Sequence, residues 1–156
     1  MEDPGLDEQL AVLQAATRVL TGVAIRSLDV LDGAVTLAQF RLLAVLAGLG
    51  RARSAQAAAT LGPDASTVTR LADRLVSTGH VQRGRDARHR SVVTLELTAS
   101  GQRLVSLVAA RRQRELGRIL DLLPAAARAQ VTAALQQFVT AAGEGYGLPA
   151  GRPFPA

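Results

Sequence analysis

The stretch that decides the fold runs from residue 64 to residue 101 and reads DASTVTRLADRLVSTGHVQRGRDARHRSVVTLELTASG. An aspartate that can cap a helix opens it, and the helix pattern ends at Gly79. A short strand from His80 to Arg83 and an arginine-rich loop from Gly84 to Arg90 follow. A second strand, in which Val93, Leu95 and Leu97 alternate with polar residues, is predicted to be buried on its apolar side. The sequence therefore predicts one helix followed directly by a charged β-hairpin.

Three helices are predicted before this stretch, and each has a recognisable end signal. The first helix runs from about Leu6 to Leu31 and ends at Asp32-Gly33. The second is capped by Thr36, with Gln39 completing a capping box, and it stops near Gly48 or Gly50. The third, SAQAAATLG, is capped by Ser54 and stops at Gly62-Pro63. The third and fourth helices, joined by a tight connection, form a helix-turn-helix.

Two helices are predicted after the hairpin. Thr98 starts a long helix that Pro124 breaks, and the last helix runs from about Ala125 to Ala142. The fold class expected is mainly α, with a winged helix-turn-helix lobe and a two-stranded β-wing embedded between terminal helices. We divide the chain into an N-terminal helix (1–33), the winged helix-turn-helix lobe (34–98), C-terminal helices (99–142) and a Gly- and Pro-rich tail (143–156) that is expected to be disordered.

The charge is unevenly distributed along the 156 residues. All 18 basic residues are arginine, and the net charge is +5. Between Arg51 and Arg118 there are 13 arginines and 5 acidic residues, a net charge of +8, whereas the rest of the chain has 5 arginines and 8 acidic residues, a net charge of −3. A basic middle between acidic flanks is expected of a protein that binds a polyanion.

Several classes of protein are excluded by what the sequence lacks. There is no cysteine, so disulfides and thiol chemistry are excluded. No apolar run approaches the ~18 residues that span a bilayer, and the N-terminus lacks a secretory pattern, so we expect a cytoplasmic protein. No histidine motif for zinc and no phosphate-binding loop occurs, and we expect neither enzymatic activity nor a cofactor or metal.

The fourth helix has two contrasting sides. Val68, Leu71, Ala72 and Leu75 fall on one side, and polar or basic residues fall on the other. A major groove admits an α-helix, whose first turns read the base edges. The predicted DNA contacts of the helix-turn-helix are Ser66, Thr67 and Arg70 to bases, Thr69 and Arg74 to phosphates, and Ser54 at the start of the preceding helix. An ordinary amphipathic surface helix is the alternative.

The loop GRDARHR crowds like charges at the tip of the hairpin. Such crowding becomes favourable beside a phosphate backbone or in a narrow minor groove. Arg88 and Arg90 are predicted to enter that groove and Arg85 to contact phosphate, while Asp86 is expected to hold a neighbouring arginine. A solvated charged hairpin is the alternative.

The run ASTVTRLADRLVSTGHVQR, followed by RDARHRSVVTLELTASGQRL, resembles the MarR family of bacterial and archaeal transcriptional regulators. The resemblance extends from about Thr36 to Phe138, and Leu97, Thr98 and Gly101 match the family's LT-x-x-G. It implies a homodimer that binds pseudo-palindromic operators, usually as a repressor, and releases DNA on binding a small anionic or phenolic effector. The family usually has an aspartate in the wing where this chain has His89.

The terminal helices also predict a dimer from their own residues. Apolar residues recur over most of the length of these helices, and one small lobe could not bury all of them. The predicted interface consists of Leu10, Leu13, Leu20, Ile119, Leu122, Val131, Leu135 and Phe138. The alternatives are a monomeric helical bundle and a winged-helix module that binds proteins rather than DNA. The effector-binding residues are not identified by the sequence, although Arg26 or Arg41 would suit an anion.

Overall fold

The computed structural model describes residues 4–62, 64–86, 89 and 91–143. Six α-helices and one β-hairpin follow one another along this part of the chain. They are α1 (Pro4–Ser27), a 3-10 turn (Leu28–Leu31), α2 (Leu37–Leu49), α3 (Ser54–Leu61), α4 (Ala65–Ser77), β1 (Val81–Arg85), β2 (Val93–Leu97), α5 (Ala99–Asp121) and α6 (Ala125–Ala142). The predicted fold class, mainly α with a two-stranded wing, is confirmed.

Two helix starts follow the predicted capping chemistry. Thr36 Oγ1 accepts the Gln39 N–H at 3.2 Å, and Gln39 Oε1 accepts the Thr36 N–H at 2.7 Å, which completes the capping box of α2. Asp64 Oδ1 accepts the Thr67 N–H at 2.9 Å at the start of α4. These bonds satisfy amide groups that the first turn of a helix leaves without an intrahelical partner.

The predicted start of α3 is wrong by one residue. Ser54 is the first residue of the helix rather than its cap, and Arg53 occupies the cap position. Gln56 Oε1 accepts the Arg53 N–H at 2.8 Å and so supplies half of a capping box. The chain therefore starts this helix without a side-chain oxygen at the cap, which leaves the Arg53 side chain available for another contact.

The bounds of two other elements differ from the prediction. The first α-helix ends at Ser27 rather than at Leu31. The buried Ser27 hydroxyl hydrogen-bonds to the carbonyls of Val23 and Ala24 at 2.8 Å. The last four predicted residues form a tighter 3-10 turn instead. The first strand begins at Val81 and extends to Arg85, because its pairing with the second strand continues into the predicted loop.

The core surrounds α2, which packs against α3, α4, α5 and β2. Its largest fully buried apolar side chains are Leu42, Leu43, Leu46, Val68, Leu75, Val81, Leu95, Val105 and Val108. Burying a valine or leucine side chain contributes roughly 1.5–3 kcal/mol. Since the core includes residues of α4 and of both strands, it fixes that helix and the hairpin relative to each other.

The hairpin is antiparallel, with Val81 opposite Leu97 and Arg85 opposite Val93. Ala52 extends the sheet by one residue, because its N–H donates to the Leu95 carbonyl at 3.0 Å and its carbonyl accepts from Leu95 at 2.7 Å. Leu95 is buried as predicted, but Val93 is 52% exposed. The predicted burial pattern fails at Val93 because that residue lies at the end of the ladder away from α5.

The start of α5 is fitted closely against the end of α4. Thr98 Oγ1 donates to the Gly79 carbonyl at 2.6 Å and accepts the Gly101 N–H at 3.2 Å. A Cβ atom at Gly101 would overlap the carbonyl oxygen of His80 and lie 3.1 Å from its carbonyl carbon. The glycine of LT-x-x-G is therefore required by this close approach of two backbones.

Candidate nucleic-acid interface

The side of α4 that faces away from the core carries the residues predicted to contact DNA. Val68, Ala72 and Leu75 are buried, and Leu71 is half-buried, as the helical pattern predicted. The polar residues Ser66, Thr69, Arg70, Arg74 and Ser77 are exposed, and Thr67 is half-buried. One helix thus anchors in the core and presents a polar, basic surface to solvent.

Three of the predicted base-contacting residues belong to one hydrogen-bonded network around Asp64. The Ser66 hydroxyl hydrogen-bonds to Asp64 Oδ1, and the Thr67 hydroxyl to Asp64 Oδ2 at 3.0 Å. Arg70 Nη2 donates to Thr67 Oγ1 at 3.2 Å. The hydrogen bond from Ser66, followed by those from Thr67, holds the pKa of Asp64 well below its usual range. The network therefore centres on an ionised carboxylate.

The other predicted residues of the helix-turn-helix lie apart from this network. Thr69 donates its hydroxyl hydrogen to the Ala65 carbonyl at 2.9 Å. Arg74 is exposed one turn farther along the same side of α4. Ser54 is half-buried at the start of α3. These three residues are not joined to Asp64 by any hydrogen bond described in the structure.

Two ion pairs connect the wing to α4 and to the start of α3. Arg83 of β1 pairs with Asp73 of α4. Arg53 Nη2, at the start of α3, donates to Asp86 Oδ2 at 2.9 Å, and Asp86 Oδ1 accepts the His89 N–H at 3.2 Å. The arginine paired with Asp86 is Arg53, 33 residues earlier in the chain, so the expected pairing with a neighbouring arginine of the hairpin stays a prediction.

A third ion pair lies on the other strand. Arg51 Nε donates to Glu96 Oε2 at 2.9 Å, and Gln82 Nε2 donates to Glu96 Oε1 at 2.7 Å. Both bonds lower the pKa of Glu96, and the bond from Arg51 has the larger effect. All three pairs are partly exposed, and such pairs contribute about 0–1 kcal/mol each.

The arginines of these pairs were missed by the sequence reasoning. Arg51, Arg53 and Arg83 surround α4 and the wing, but the acidic partner of each lies on another element. The hairpin register places Gln82 opposite Glu96, and this cross-strand pairing is a signal from which the Gln82–Glu96 contact could have been predicted.

Some predicted wing residues lie outside the described residues. Arg85, at the end of β1, is exposed. Arg88 and Arg90 fall outside the described part of the chain, as do Pro63 and the predicted tail from residue 144 onward.

The two arginines that would suit an anion have different surroundings. Arg41 Nη2 donates to the Leu61 carbonyl at 3.4 Å, and Arg26 is exposed on α1. In the described ranges, no three histidine, aspartate or glutamate side chains are grouped so that they could hold a metal ion. No helix in that same part of the chain has the length and apolarity needed to cross a membrane.

A short helix, a tight turn, an exposed polar helix and a β-hairpin define a winged helix-turn-helix protein. Residues 35–90 match the model of the MarR family. The crystal structure of RV1404 from Mycobacterium tuberculosis is 30% identical, covers 92% of this chain and 99% of its own, and superposes with a TM-score of 0.82. The chain belongs to the MarR family of transcriptional regulators.

Two further solved structures are similar to this chain. The transcriptional regulator Tm0710 from Thermotoga maritima is 25% identical over 85% of this chain and 94% of its own, with a TM-score of 0.74. A mutant of MarR from E. coli, solved in complex with operator DNA, is 21% identical over 88% of this chain and 99% of its own, with a TM-score of 0.56. The second likeness is one of fold alone. A search of curated proteins found no match.

Proposed function

We propose that the protein is a homodimeric transcriptional regulator that binds a pseudo-palindromic operator and acts as a repressor. In this proposal α4 enters the major groove and the wing, residues 84–91, lies in or near the minor groove. A small anionic or phenolic effector releases the protein from DNA. The observation that carries the proposal is the polar, basic side of α4, held beside an arginine-rich hairpin by a shared core.

The proposed DNA contacts are the ones that the sequence predicts. Ser66, Thr67 and Arg70 lie in the first turns of α4, from which base edges are read. The remaining contacts, to phosphates or the minor groove, are assigned to Ser54, Thr69, Arg74, Arg85, Arg88 and Arg90. The fold suits this role, since MarR from E. coli, which shares it, has been solved with operator DNA.

The proposed dimer is supported by apolar residues that the single chain leaves in water. All eight predicted interface residues are exposed, from 37% for Ile119 to 83% for Leu122. No residue of α6 is buried within the part of the chain that the structure describes. A second copy that covered α1, α5 and α6 would remove this surface from water and place two α4 helices about 34 Å apart, one turn of DNA.

We assign no enzymatic activity and no cofactor to the chain. We expect DNA binding to take place in the cytoplasm. The proposed function is supported by membership of a family of transcriptional regulators. Residues 34–98 are the proposed DNA-binding lobe, and residues 1–33 and 99–142 the proposed dimerisation segments.

Two measurements test this function. Sedimentation equilibrium measures the mass in solution, for which we expect twice that of the 16.3 kDa chain. An electrophoretic shift assay with the DNA upstream of the protein's own gene measures binding, which should weaken steeply as salt rises. A protein that remained monomeric, or that bound no duplex at low ionic strength, would contradict the proposal and favour a module for protein contacts.

A further inference from the structure

The hydroxyl groups at the start of α4 are restricted in what they can recognise. Each hydroxyl has one hydrogen to donate and two lone pairs that accept. Ser66 Oγ and Thr67 Oγ1 hydrogen-bond to different oxygens of the Asp64 carboxylate. Because an ionised carboxylate has no hydrogen to give, the hydroxyl is the donor in both bonds. Both residues have therefore committed their one hydrogen to Asp64.

This arrangement is held by more than the two hydroxyls. Asp64 Oδ1 also accepts the Thr67 N–H at 2.9 Å, which is the bond that caps α4. The same hydrogen bonds lower the pKa of Asp64, so the carboxylate stays ionised at neutral pH. The orientation of both hydroxyl hydrogens is thus tied to the start of the helix itself.

Lone pairs are what the two hydroxyls still offer to a ligand. Thr67 Oγ1 already accepts from Arg70 Nη2 at 3.2 Å. Ser66 Oγ is on the exposed side of the helix, and no group in the described part of the chain donates a hydrogen bond to it. Donation to a charged acceptor also polarises the hydroxyl and makes its oxygen a better acceptor. Ser66 is consequently an acceptor directed towards whatever α4 binds.

The edges of the bases in the major groove differ in what they offer to an acceptor. Cytosine presents the N4 amine and adenine the N6 amine as donors, whereas guanine N7 and O6 and thymine O4 are acceptors. We propose that Asp64 is a specificity-determining residue that makes Ser66 select an exocyclic amine, of cytosine or adenine, and disfavour guanine and thymine. This inference rests on the proposed function, since it requires α4 in the major groove.

The first step of the test finds the base that Ser66 contacts. Duplexes are selected from a random pool by the wild-type protein, and the preferred site is then measured with every single-base variant. The same set is measured with Ser66→Ala, and the position whose preference disappears is the one Ser66 contacts. We expect cytosine or adenine there.

The second step removes the amine from that base alone. Purine replaces adenine, or 2-pyrimidinone replaces cytosine, and affinity is measured by fluorescence anisotropy. We expect the loss of the amine to weaken wild-type binding by about three- to tenfold and to change the affinity of Ser66→Ala by no more than about twofold. Replacing the purine N7 of the same base pair by carbon should leave the wild-type affinity within about twofold.

The third step tests Asp64 itself. Asp64→Ser keeps a capping oxygen for the helix but removes the carboxylate, so the Ser66 hydrogen becomes free to donate. We expect the preference for cytosine or adenine over guanine or thymine at this position to fall to within about twofold in this variant, because a free hydroxyl can donate to an acceptor as well as accept from an amine. Asp73→Ser removes the same charge from the same helix without touching either hydroxyl. It should keep the wild-type preference for cytosine or adenine at the position that Ser66 contacts.

The results separate this inference from the function on which it rests. If the protein binds no duplex, the proposed function falls and the inference with it. If it binds, the inference is overturned by a preference for guanine or thymine at the Ser66 position. It is equally overturned if Ser66→Ala alters no preference, or if Asp64→Ser keeps the wild-type preference for cytosine or adenine at that position.

Discussion

Arg70 projects from the exposed side of α4, where its guanidinium donates to the neutral Thr67 hydroxyl rather than to a carboxylate. Its charge is therefore available to DNA without breaking an ion pair at that contact. We expect Arg70→Ala to weaken operator binding by about 1–3 kcal/mol while leaving the fold intact. Anisotropy titrations measure the binding, and circular dichroism checks the fold.

The matched control for this change is Arg114→Ala, which removes an exposed arginine of α5 outside the proposed contacts. It should change the affinity by much less, because it lowers only the overall charge of the protein. Equal losses in the two variants would mean that α4 has no special role in binding.

Gly101 and Gly117 allow a comparison within one helix. A Cβ at Gly101 would overlap the His80 carbonyl oxygen, whereas a Cβ at Gly117 would meet no described atom within 4 Å. We expect Gly101→Ala to destabilise the protein by about 1–3 kcal/mol, because the start of α5 must move away from His80. Gly117→Ala should stabilise it by about 0.5–1 kcal/mol, since alanine favours a helix. Urea denaturation measures both changes, and a stabilised Gly101→Ala would contradict the close fit.

At the scale of elements, the cap of α4 makes stability depend on pH. Hydrogen bonding lowers the pKa of Asp64 in the folded protein below its value in the unfolded chain. Its contribution to stability is therefore fully present above the unfolded pKa, near 4, and is lost as pH falls through the folded pKa. Asp64→Ala should have a lower urea midpoint than the wild type at pH 7, and the gap should narrow below pH 4.

Asp64→Ser is the control for this prediction, because serine caps a helix without titrating. At pH 7 its urea midpoint should lie closer to that of the wild type than the midpoint of Asp64→Ala does. A gap between wild type and Asp64→Ala that stayed constant from pH 7 to pH 3 would show that the carboxylate is not what stabilises the helix.

Elements whose signals are local were predictable from the sequence. Thr36 and Asp64 cap their helices through bonds to the residue three positions on, so the sequence of one turn contains the whole interaction. The two sides of α4 follow from the period of the helix alone. The same holds for α6, whose bounds agree with the predicted ones.

Contacts between distant elements were not predictable in this way. Ser54 looked like a cap because serine is a common one, but the cap position is held by Arg53, whose side chain reaches Asp86 of the wing. The pairing of Arg83 with Asp73 depends in the same way on how the strand lies beside α4. All of the predicted DNA contacts, on α4 as well as on the wing, remain predictions.

At the scale of the whole molecule, the exposed apolar surface of α6 leads to a test of the dimer. Phe138 is 52% exposed, so replacing it cannot remove core packing within the chain. We expect Phe138→Glu to shift the protein towards the monomer, because a charge in an apolar interface must be desolvated. Sedimentation equilibrium measures the shift, and the thermal midpoint of the wild type should rise with protein concentration.

Leu37→Glu provides the comparison, since Leu37 is 60% exposed at the start of α2, outside the proposed interface. It should remain dimeric. If Phe138→Glu also remained dimeric, the two copies would have to associate through some surface other than α6.

The three ion pairs of the wing have a consequence for measurements on DNA. Dissolved ions screen Arg51–Glu96, Arg53–Asp86 and Arg83–Asp73 as well as contacts to phosphate, because all three pairs are partly open to water. Added electrolyte therefore weakens these pairs while it competes for the nucleic acid. The slope of log affinity against log salt then contains both effects and does not by itself count the phosphates that the protein touches.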